Sequence, residues 1–146
     1  MLYLSRAIIR NKVDYHRLLN AVTSGGAWEP WVLYMLEAVA ETARWTTAKI
    51  HAIRDLLRET TAFVQREAPA VYTWELVELI FVQPYCRIAN VVEAGLAQRQ
   101  TASDYLKQLR DIGVVDEMKV GREKLFIHPK LMTLLKSDEH VVPPYS

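Results

Sequence analysis

Cysteine is almost missing from this chain. Cys86 stands alone among 146 residues, so no disulfide can form within it. A reducing, cytoplasmic setting is expected for such a chain. Long apolar runs are missing too: none reaches the length of about 18 residues that a membrane helix needs. The opening stretch, Met1 to Arg10, is apolar but short. Arg6 interrupts it and no small-residue cleavage site follows, so it does not read as a signal peptide. Charge of one sign is scarce, since 18 basic and 17 acidic residues leave a net charge of +1. Nucleic-acid-seeking domains usually carry a marked basic excess. The four histidines, His16, His51, His128 and His140, lie in separate segments without metal-ligand spacing, and no Cys–His set exists. They read as surface residues, and neither a metal nor a cofactor is expected. Gly25-Gly26 is followed by no phosphate-loop pattern. Cys86 lies in an apolar stretch and reads as a buried structural thiol.

What is present is apolar material at helical spacing. Apolar residues make up 51% and charged residues 24%, which predicts a packed core rather than disorder. Leu4, Ile8 and Ile9 suggest a first helix over residues 2–10, and Val13, Leu18, Leu19 and Val22 a second. Gly25-Gly26 should end it. Pro30 then sits as a first-turn proline would, and no proline or glycine follows before Glu67. Steps of three and four through Trp31, Met35, Val39, Thr42, Thr46, Ile50, Ile53, Leu57, Thr60 and Val64 predict one long helix. Leu33, Leu36, Ala40 and Ala43 give its first half a second apolar face. At about 1.5 Å per residue such a helix exceeds a small domain, so it should bend or bridge two packed bodies.

The remainder reads as a second body. Thr73 is a candidate N-cap for a helix carrying Leu76, Val77, Leu79 and Ile80, which Pro84 should end. Residues 86–93 suggest a short helical turn with Ile88, Val91 and Val92 inward, followed by Gly95. The next helix is expected from Thr101 as N-cap to Ile112, with Ala102, Tyr105, Leu106 and Leu109 inward. Two β-prone runs, 114–120 and 124–127, flank Gly121-Arg122-Glu123 and predict a hairpin. A final helix carries Leu131, Met132, Leu134 and Leu135, and the proline-containing end of the chain reads as a loose tail.

Short helix, glycine turn, capped helix, hairpin is the order of a winged helix-turn-helix. The expected fold is therefore mainly α: a helical N-terminal segment with a long helix, then a winged helix-turn-helix domain with a small β-hairpin wing. In such a domain Gln98, Arg99, Gln100, Ser103, Asp104, Lys107 and Arg110 would face outward on the second helix. Gln can bond adenine, and Arg can bond guanine or phosphate. Arg122 and Lys124 on the wing would be phosphate contacts. Between Gln98 and Lys124, however, six basic residues face five acidic ones. A reader of several phosphates normally shows more excess. Protein docking and DNA binding both stay open at this point.

Several segments resemble the C-terminal part of bacterial Fic-domain proteins. They are the run from Leu2 to Lys12, then Asp14-Tyr15, and the run from Gly26 to Trp31. Glu37-Ala38-Val39, the run from Glu75 to Ile88 and the run from Val120 to Phe126 belong with them. The resemblance implies a Fic domain, which transfers AMP from ATP to protein hydroxyls, followed by a winged helix. That family's catalytic loop, HxFx(D/E)GNGR, would lie upstream of Leu2 and is absent here, so no catalytic residue is carried over. On this reading residues 1–69 are the terminal helices of a Fic-like helical domain with a linker helix. Residues 70–136 are the winged helix and 137–146 a flexible tail. The expectation is a non-catalytic regulatory or targeting module, with no membrane attachment. It would act by protein docking or self-association, as a homodimer, through an apolar surface at Leu4, Ile8, Trp28 and Trp31. The alternative is a DNA-binding module using Gln98, Arg99, Gln100, Ser103, Lys107, Arg122 and Lys124.

Overall fold

Apolar spacing and glycine breaks set the first elements. A computed structural model describes residues 4–142 and 144–145, with Arg6 and Ala7 described by backbone alone. Leu2, at the head of the expected first helix, lies outside the described residues. Two compact units result, Met1–Ile50 and His51–Ser146. In the first, α1 (Leu4–Arg10) leads into α2 (Lys12–Gly25), which ends at the glycine pair. α3 (Trp28–Glu67) is the expected long helix, and the boundary between the units falls inside it. Its threonines return their hydroxyls to the preceding turn, Thr42 to the Ala38 carbonyl at 2.7 Å and Thr46 to that of Thr42 at 2.8 Å. That bonding lets them sit in a helix without a stranded polar group. Tyr15 of α2 meets Trp31 edge-on at 5.1 Å, and Trp31 stacks on Tyr34 at 6.3 Å. Leu18, Ala38 and Thr42 are buried, whereas Ile9 is exposed.

The buried side of α3 coincides with its expected stripe at Thr42, Thr60 and Val64 and is displaced from it by about one residue elsewhere. Ala38, Thr42, Lys49, Ala52, Leu56, Thr60 and Phe63 are buried, while Val39 and Ile50 are exposed. The apolar arc is wide in the first half, so period alone cannot say which edge turns inward.

In the second unit α4 (Trp74–Val82) starts at Thr73, whose hydroxyl accepts the Leu76 N–H at 3.1 Å, as expected of an N-cap. A short strand follows, β1 (Tyr85–Arg87), then α5 (Ile88–Glu93) and α6 (Arg99–Asp111). The hairpin is β2 (Asp116–Val120) and β3 (Glu123–Ile127), and α7 (Pro129–Lys136) closes the fold. The antiparallel sheet runs β1-β3-β2, with Cys86 opposite Phe126 and Val120 opposite Glu123. That register leaves Gly121-Arg122 as a two-residue turn. Gly121 alone has positive φ (62°), the pattern of a turn that takes glycine first. The core gathers Phe63, Val64, Leu76, Ile80, Leu106, Leu109, Val114 and Phe126. Burying each of the larger side chains contributes roughly 1.5–3 kcal/mol. A helical segment thus precedes a winged-helix-like domain.

Three expectations change. β1 replaces part of the helical turn predicted for 86–93. Val92, expected inward, is 40% exposed. The closing segment, read as loose, instead carries Tyr145 against Phe63 with ring centroids 4.4 Å apart. Lys130 also donates to the Pro144 carbonyl at 2.9 Å. No helix among the described residues is long and apolar enough to cross a membrane.

Candidate functional site

The candidate site is built at the start of α6. Between α5 and α6 the chain turns at Gly95, whose φ of 72° suits a residue without Cβ. Two hydrogen bonds close that turn, Gly95 N–H to the Val92 carbonyl and Leu96 N–H to that of Val91, at 2.9 and 3.2 Å. α6 then begins at Arg99, two residues before the expected Thr101 cap. The reason is local. The Ala102 N–H already bonds the Gln98 carbonyl at 2.8 Å, so Thr101 lies within the first turn. Inward, Ala102, Leu106 and Leu109 are fully buried and hold the helix to the core, as expected.

Outward, the residues expected to read DNA are placed unevenly. Asp104 accepts from the Gln100 amide at 3.5 Å and pairs with Lys107 at 3.6 Å, so one carboxylate engages both. Ser103 is half-buried and Gln98 exposed. Arg110 turns toward the wing, bonding Asp111 at 2.7 Å and also Glu117. Lys124 pairs with the other oxygen of Glu117. Bonds from Lys124 and Arg110 hold the Glu117 carboxyl below its usual range. Glu117 therefore fastens the end of α6 to both strands of the wing.

Arg99, Arg122 and Lys124 do converge. With Arg87, Ile88, Ala89 and Glu123 they line a cleft of about 250 Å³. Arg87 pairs with Glu123 at 3.2 Å. Sequence reasoning missed Arg87 because it assigned that stretch to a helix. Three residues, with Cys86 buried between exposed Tyr85 and Arg87, are too few for alternation to mark a strand in the sequence.

In the first unit the candidate association residues also separate. Leu4, Ile8 and Trp31 are half-buried. Trp28 is 62% exposed and is followed on one side of α3 by Val32, Leu36 and Val39, all exposed. The steps of four, four and three keep these four within one arc. Val32 and Val39 were not singled out as surface residues from the sequence, since every apolar helical position competes for the core.

His128 corrects the reading of the histidines as surface groups: it is fully buried. Its Nδ1 accepts the Leu131 N–H at 3.3 Å and caps α7, while Nε2 lies 3.3 Å from the Tyr145 hydroxyl. Cys86 is buried as expected, and burial pushes its thiol up to about 11.

The model for the C-terminal domain of SoFic-like protein adenylyltransferases matches residues 56–131. That range runs from the last turns of α3 through the sheet to the first turn of α7, and covers just over half of the chain. The chain belongs to the Fic family of protein adenylyltransferases, and the match lies in that family's C-terminal region.

Proposed function

We propose that this chain is a non-catalytic regulatory or targeting module of a Fic-type protein adenylyltransferase, acting by protein docking or self-association. The observation that carries the reading is the exposed apolar side of α3 at Trp28, Val32, Leu36 and Val39. A contiguous apolar surface of this kind is the usual mark of an association face. The matched domain is the C-terminal one of its family, which fits an accessory rather than a chemical role. DNA binding has less support. Asp104 sits on the face that would meet the duplex and engages Gln100 and Lys107.

Light scattering over a range of concentrations tests the reading. The mass should rise above the 16.8 kDa of one chain, and a Leu36→Glu variant should return it to that value. A strict monomer that also fails to bind an added Fic catalytic domain would overturn it. Incubating the chain with ATP and hydroxyl-bearing proteins should give no AMP transfer. Robust transfer would sink the non-catalytic reading.

A further inference from the structure

We propose that the cleft between α6 and the wing is a seat for one phosphoryl group carried by a small ligand. Four cations, Arg87, Arg99, Arg122 and Lys124, line it against one carboxylate, Glu123. Two of the four are already held within the protein, Arg87 by Glu123 and Lys124 by Glu117. Those pairs hold the wing and the β1–α5 junction in place around the cleft. Arg99 and Arg122 make no ion pair or hydrogen bond among the described residues, although both line the same small cleft. The one carboxylate of the lining, Glu123, is engaged by Arg87, so Arg99 and Arg122 add like charge that an external dianion would offset. Planar guanidinium forks suit tetrahedral oxyanions, which they bind with short charge-assisted bonds.

The charge around the cleft selects the size of the ligand. A duplex requires cations spread along a surface so that several phosphates are neutralised together. Beyond Arg99 the cations of α6 are already matched by acids, Lys107 by Asp104 and Arg110 by Asp111 and Glu117, and β2 opens with Asp116. The cations of α6 and the wing tip without an internal partner among the described residues, Arg99 and Arg122, thus lie at one cleft. Ile88 and Ala89 supply the apolar part of the lining, where an uncharged moiety attached to the phosphoryl group would rest. Free phosphate, pyrophosphate and a nucleoside monophosphate share the chemistry that this cleft recognises. The inference stands apart from the docking face on α3, and either can fail without the other.

Titrating the isotope-labelled 146-residue chain at low salt with inorganic phosphate, pyrophosphate and a nucleoside monophosphate tests it by amide chemical shifts. Saturable shifts confined to residues 87–89, 99 and 121–124 are expected. Affinity should fall about tenfold or more in Arg99→Gln and in Arg122→Gln, the loss of one charge-assisted contact. Lys107→Gln, remote from the cleft, should bind as the unaltered chain does. Arg99 and Arg122 make no ion pair or hydrogen bond among the described residues and carry like charge, so the thermal midpoint of neither variant should fall. Tighter binding of the nucleoside monophosphate than of free phosphate would assign Ile88 and Ala89 to its uncharged part. Equal binding would assign the seat to phosphate alone. Unsaturable shifts scattered over the surface, or undiminished affinity in both arginine variants, would overturn the proposal. So would duplex DNA binding more tightly than pyrophosphate with an equal loss in Lys107→Gln.

Discussion

At position 128 one imidazole serves as helix cap and as buried hydrogen-bond partner. Because Nδ1 accepts the Leu131 N–H, the neutral ring carries its proton on Nε2, which faces Tyr145 and Thr60. Burial pushes His128 down to about 4, from an ordinary value of 6.5. Between those values the unfolded chain takes up a proton that the folded chain refuses. Stability therefore falls as pH drops from 6.5 toward 4, by about 3 kcal/mol for this group. Urea unfolding of His128→Asn, which keeps a capping oxygen, should show a correspondingly shallower loss over that window. Thr73 makes a simpler case. Thr73→Ala should cost about 1 kcal/mol, read as a lower urea midpoint at unchanged slope. The Thr73 cap was legible because a capping residue and its helix are neighbours in sequence. The role of His128 was not, since Thr60 lies 68 residues away and Tyr145 lies 17.

Among the elements, helices and hairpin could be read from periodicity, whereas β1 could not. Three residues with one buried side chain fit a strand or a helical turn equally well, and only pairing with β3 decides. That ambiguity also hid Arg87, and with it one wall of the cleft. Arg99, Arg122 and Lys124 were visible as charges on an expected helix and wing, but their convergence depends on the register of β2 and β3. The closing segment was misleading because its prolines dominate its composition, while a single aromatic does the packing. Ending the chain after residue 140 should remove the Tyr145 stack on Phe63 and open His128 to water. The His128 ring protons should then titrate nearer 6.5, and the melting midpoint should fall. An unchanged His128 titration would show that Tyr145 does not shield it. Glu117→Gln should loosen the wing from α6 by about 1 kcal/mol, seen as faster amide exchange in β2 and β3.

At the scale of the molecule the two units differ in what they bury. Residues 51–146 carry a large cluster of fully enclosed side chains, among them Leu76, Val77, Leu106, Leu109 and Phe126. In residues 4–50 the described buried side chains are Leu18, Ala38, Thr42 and Lys49, two of them polar. Amide exchange should therefore be slower in α4, α6 and β3 than in α1 and α2, and equal protection would contradict this reading. Cys86 offers a second view of the same difference. It is the one thiol of the chain, enclosed where β1 pairs with β3, with its proton held up to about 11. A thiolate is the form that reacts, so a chromogenic disulfide reagent should meet a silent protein while the sheet is closed. The colour that develops would then count openings of that sheet, making Cys86 a native clock for how often the winged-helix-like unit comes apart.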